Sequence, residues 1–143
     1  MRIPKLELNE WLDVLEPSQK QIMSALLEEH TKEDAMRLWL TAEIPQKAMR
    51  LSGDKSVKEY FEHFKEEVKK FICEHPDYAQ QNAELKELGK VGIPVLVTTI
   101  SAFLAVQLGV LATVISPVLV IMLFTVGKIG KKAYCSTQIT EKA

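Results

Sequence analysis

Along the first 90 residues, apolar side chains return every three or four positions among charged ones, the spacing of helices that bury one face. Leu8, Trp11, Leu12 and Leu15 form the first such stripe. Pro17 breaks it and suits the first position of a new helix, whose apolar face is Ile22, Met23, Leu26 and Leu27. Thr31, followed by Glu33 and Asp34, caps a third segment through Met36, Trp39 and Leu40. Ile44-Pro45 and Ser52-Gly53-Asp54 bracket an irregular or short-helical connection. The longest stripe follows: Val57, Tyr60, Phe61, Phe64, Val68, Phe71 and Ile72, backed by Lys58, Glu59, Glu62, Lys65, Glu66, Lys69 and Lys70. His75-Pro76-Asp77 ends that helix, and a polar helix from Tyr78 to Leu88 runs to Gly89-Lys90. No stretch alternates as a strand would. The pattern predicts an all-α protein whose residues 1–88 form a small helical bundle, with the aromatic residues as its core.

From Val91 to Gly127 the pattern changes to 37 residues without one charged side chain. A single helix of that length would extend roughly 55 Å, against the ~30 Å of a hydrocarbon core. Two helices folded back on each other fit better, which predicts a transmembrane helical hairpin over 89–128 and a short basic tail over 129–143. Two divisions are open. A turn near Gln107–Gly109 leaves two helices of about 17 and 18 residues, just enough to span. Alternatively Pro94 to Ser116 forms one span and Pro117 starts the next helix.

Charge sharpens the contrast. Residues 1–90 carry 14 Lys and Arg against 18 Asp and Glu, whereas residues 91–143 carry four Lys and one Glu. The formal net charge of −1 gives no general attraction to nucleic acid, so an anion site would have to be local. Lys86 and Lys90 precede the apolar run, and Lys128, Lys131 and Lys132 follow it. Lysines at both ends favour both ends on the cytoplasmic side, which a hairpin satisfies. The N-terminal residues lack the apolar core of a cleaved signal peptide. Cys73 and Cys135, the only cysteines, are far apart in sequence, and a reducing cytosol is the simpler expectation. The expected location is the cell or inner membrane, with the bundle and both flanks of the hairpin in the cytoplasm.

Within the run, Ser101, Ala105, Gly109 and Thr113 recur every four residues, and Ala112 with Ser116 repeats the spacing. Small residues so placed let membrane helices approach closely, within a hairpin or between subunits. Ser101, Ala105, Gln107, Gly109, Thr113 and Ser116 are therefore the candidate pore-lining or helix-packing residues. Two helices alone enclose no channel, so conduction implies a homo-oligomer. Chemistry in the bundle is sparse. His63 with Glu59, Glu62 and Glu66 lacks the paired Glu-x-x-His of a di-metal bundle, and Cys73 with His75 is two ligands without partners. No catalytic motif, cofactor motif or small-molecule substrate site stands out. One basic cluster does: Lys47, Arg50, Lys55 and Lys58 surround a turn leading into a helix N-terminus, a place suited to a nucleotide, an oligonucleotide or a phospholipid head group.

The uncharged run over 91–127, behind a charged helical domain with a basic cluster at 47–58, resembles two kinds of protein. One is the colicin-like pore former, whose hydrophobic hairpin is buried in the soluble form and inserts later. The other is the small membrane effector of prokaryotic antiviral defence, of Hailong type or in nucleotide-signalling systems. The resemblance implies an oligomeric pore or channel in membrane lipid, controlled by a helical domain that senses a nucleotide. The alternative is an anchored adaptor, in which the hairpin only holds the bundle at the membrane while its surface recruits a partner.

Overall fold

In the computed structural model, which describes residues 3–44 and 56–142, the protein is all-helical, with no strand among the described residues. The helices are α1 (Leu8–Leu12), α2 (Pro17–Glu29), α3 (Lys32–Glu43), α4 (Val57–Ile72), α5 (Ala79–Glu87), α6 (Ile93–Leu108), α7 (Ala112–Ile129) and α8 (Lys131–Lys142), with a 3₁₀ turn at Pro76–Tyr78 before α5. Their starts follow local chemistry. Pro17 opens α2, where its missing N–H costs nothing. Thr31 Oγ1 accepts from the Asp34 N–H at 3.1 Å, and Ser56 Oγ accepts from the Glu59 N–H at 3.2 Å. The α4 stripe from Tyr60 to Ile72 is buried as its period predicts. Both tryptophans are core residues. Ile22 departs from its expected face: α2 turns Met23 inward and leaves Ile22 47% exposed.

The apolar run divides at Gly109. Gly109 closes α6 with φ +70, a left-handed conformation that glycine adopts without a Cβ clash, and its N–H bonds to the Ala105 carbonyl at 2.9 Å. The other division does not occur: Pro117 lies buried inside α7, while Pro94 sits in the first turn of α6.

Helix α7 is the axis of the molecule. It touches α1, α2, α3, α6 and α8, while α4 lies against α3, α6 and α8. Ile115 and the continuous stretch Pro117 to Leu123 are buried, as is Val126. One hydrophobic core runs from Trp11 through Phe64 and Leu104 to Tyr134. It crosses the boundary expected at residue 88, so the apolar pair and the charged helices share one interior. By length and composition α7 is able to cross a membrane, and half of it is buried within the protein. The N-terminal segment also packs on it: a Cβ added to Gly127 would collide with the Pro4 carbonyl, so only glycine lets the two backbones meet.

Candidate functional site

Where a proline sits inside a helix, the carbonyl four residues earlier loses its donor. In α7 that carbonyl belongs to Thr113, and the Gln19 side chain of α2 supplies the missing bond, Nε2 to O at 2.8 Å. One residue on, the Trp39 indole N–H of α3 donates to the Val114 carbonyl at 2.9 Å. Across the turn, the last carbonyl of α6, that of Leu108, accepts from the buried Tyr60 hydroxyl of α4 at 2.9 Å. Helix C-termini leave such carbonyls open, and burial makes an open one costly. Three side chains from three helices thus close the backbone of the apolar pair around its turn. Ser101 and Ser116 meet between α6 and α7 with their oxygens 3.0 Å apart, and Ser116 Oγ donates on to the Ala112 carbonyl at 3.0 Å. A cleft of about 170 Å³ opens beside this contact, between Gln19, Thr98, Ser101, Thr113 and Ser116.

The opposite end of the pair is held by charge and by a covalent bond. Cys73, which caps α4, forms a disulfide with Cys135 of α8, their Cα atoms 5.7 Å apart. This corrects the expectation of unpaired thiols: sequence separation hid a spatial neighbour, and the bond removes Cys73 from any ligand role. Glu74 beside it pairs with Lys86 at 3.0 Å and Lys131 at 3.2 Å. Those hydrogen bonds, to Lys86 first, hold its carboxyl down at about 2. Lys69 lies over the Tyr134 ring, 5.3 Å from its centre. Beneath them the buried Glu67 accepts from the Tyr78 hydroxyl at 2.7 Å and pairs with Lys70 at 3.3 Å. Burial, reinforced by Glu67, pushes the Tyr78 pKa up, so its proton stays on. Asn82 completes this polar seam by donating to the carbonyls of Phe71 and Tyr78 at 3.1 and 3.2 Å.

Of the six candidate residues in the run, the structure brings together only Ser101 and Ser116 through their side chains. Ala105 and Gly109 join through the backbone of the turn. Gln107 and the Thr113 side chain are exposed, so the four-residue spacing does not become one packed face. Of the basic cluster, Lys47, Arg50 and Lys55 lie outside the described residues. Lys58 is exposed in the first turn of α4, where Ser56 already occupies the Glu59 amide. No three His, Cys, Asp or Glu side chains converge as a metal site among the described residues. Sequence reasoning passed over Gln19, Trp39 and Tyr60, which look like ordinary surface and core residues. Pro117 was the signal available, because a proline within a helix requires an outside donor for the carbonyl it orphans.

No known protein family, curated protein or solved structure matches the chain.

Proposed function

We propose that the protein is a membrane effector that stores the α6–α7 pair inside its own bundle and delivers it to a bilayer, where several copies assemble a pore. The observation that carries this reading is the placement of a span-length apolar helix, charged only at Lys128 in its last turn, at the centre of a charged protein. A protein interior and a hydrocarbon core both take apolar surface out of water, at roughly 25 cal/mol per Å² in either case. The pair therefore has two environments of comparable depth, and the contacts of α1 to α4 decide between them. The polar contacts from α2, α3 and α4 at the turn end are hydrogen bonds to backbone carbonyls, with no ion pair among the described residues from Val91 to Gly127. Two helices enclose no channel, so the pore reading includes a homo-oligomer. Control by a nucleotide at the basic cluster, in antiviral defence, extends the proposal along the resemblance. Lys58 is the member of that cluster available to test on the described surface.

A charge placed where the folded protein tolerates it separates storage from delivery. Ala102 is exposed midway along α6. Ala102→Lys is expected to keep the helical content and melting temperature while placing a cation at a cost of about 2.5–3.5 kcal/mol in the membrane centre. Dye release from liposomes should fall by tenfold or more. Wild-type protein that leaves liposomes sealed, with and without added oligonucleotides, removes the proposal. The competing reading is a bundle that never meets a membrane, with α7 as its core helix, and the half-burial of α7 favours it. On that reading Ala102→Lys changes nothing.

A further inference from the structure

An open cleft lies far from the turn, at the base of the apolar pair. It measures about 490 Å³. Pro4 of the N-terminal segment, Leu85 of α5, and Ile93 and Leu96 of α6 supply apolar walls. Lys86 and Lys90 also line it, and no acidic residue does among the described residues. Lys86 is paired with Glu74, whereas Lys90 is exposed and has no ion pair among the described residues. Apolar walls of this volume with one or two convergent polar groups are the usual form of a small-molecule site.

We propose that this cleft binds a single-chain amphipathic anion, a medium-chain fatty acid, with its carboxylate at Lys90 and its chain over Leu85, Ile93 and Leu96. The sign follows from Lys90, because Lys86 is already matched by Glu74 and no acidic side chain is among the described lining residues. The size follows from the volume. If each methylene takes roughly a water's ~30 Å³, a chain of about 12 carbons fills under 400 Å³, and two such chains exceed the cleft. One acyl chain therefore fits inside the cleft. The site has a further consequence, because Pro4 is both a wall of the cleft and the residue whose carbonyl lies over Gly127 of α7. An occupant therefore ties the N-terminal segment, α5 and the start of α6 together and raises the stability of the closed bundle by mass action.

The test uses the full chain without vesicles, with dodecanoate below its micelle concentration and titration calorimetry as the readout. Saturable binding at one site per chain is expected, together with a rise in melting temperature. Lys90→Glu, at an exposed position that leaves the fold alone, should weaken dodecanoate by about tenfold and leave the neutral dodecanol unaffected. Ala102→Lys should bind dodecanoate as the wild type does, which separates this site from the membrane proposal. Absence of saturable binding overturns the inference. So does equal affinity of wild type and Lys90→Glu, which would mean unspecific adsorption to apolar surface.

Discussion

At the scale of single residues, the two tryptophans show how one side-chain type serves two ends. Trp39 and Trp11 are both buried, but Trp39 donates to the Val114 carbonyl, while the Trp11 N–H has no acceptor among the described residues. Replacing Trp39 by Phe removes the indole bond to the Val114 carbonyl, a net loss of about 0.5–1.5 kcal/mol beyond the lost volume. Trp11→Phe removes an unsatisfied donor together with the same volume. Urea unfolding of both variants should therefore rank Trp39→Phe as the more destabilised. Glu74 sets an acid limit. Its carboxyl sits near 2 in the folded protein and at an ordinary 4.5 when free. A folded value below the unfolded one means stability that is present above about pH 4.5 and is lost as pH falls towards 2. Because the side chain is 41% exposed, screening keeps the contribution below about 1 kcal/mol. A carboxyl titration by NMR should show Glu74 deprotonated until about pH 2, and Lys131→Met should move its midpoint upward.

At the scale of elements, α7 makes an uncommon bargain with proline. Pro117 sits in the sixth position of the helix, and the bond it forfeits is restored from α2 by Gln19. A double-mutant cycle isolates this repair. Gln19→Ala should cost about 1 kcal/mol in the wild type and near zero in Pro117→Ala, where residue 117 regains its own N–H. Equal costs in both backgrounds would show that water satisfies Thr113. The helices themselves were legible in sequence wherever the stripe was long. The period of α4, the Thr31 cap of α3 and the Pro17 start of α2 follow from neighbours three or four residues away. The division of the apolar run was legible only as two options, since Gly109 and Pro117 each punctuate a helix. A proline becomes tolerable in a helix interior when another element repairs the bond, and here the donor, Gln19, lies 94 residues from the Thr113 carbonyl it serves.

At the scale of the whole molecule, the disulfide divides the chain into unequal parts. It closes a loop from Cys73, just past α4, to Cys135 in α8, a separation of 62 residues that encloses α5, α6, α7 and the start of α8, with α1 to α3 packed on α7 from outside the loop. Closing a loop of that length lowers the entropy of the unfolded chain by an amount worth about 4 kcal/mol. Urea unfolding of the oxidised protein against Cys73→Ser/Cys135→Ser should show a loss of about 2–4 kcal/mol. Hydrogen exchange should quicken first in α8, which would keep the Lys131 pair, the Lys69 contact and the buried Tyr134 but lose its covalent tie to α4. An unchanged unfolding midpoint would mean that the bridge adds nothing in solution.

The sequence by itself determined the helical class, the ends of the long amphipathic helices and the existence of an uncharged stretch able to cross a bilayer. Each is a local property, written in side chains a few positions apart. Only the tertiary structure decided that α7 lies at the centre of the bundle, that Cys73 meets Cys135, and that Gln19, Trp39 and Tyr60 close the backbone of the apolar pair. An apolar helix has the same composition whether protein or lipid surrounds it, because both exclude water. Which of them covers it is decided by the shape and hydrogen-bonding reach of distant residues, and no periodicity along the chain encodes that.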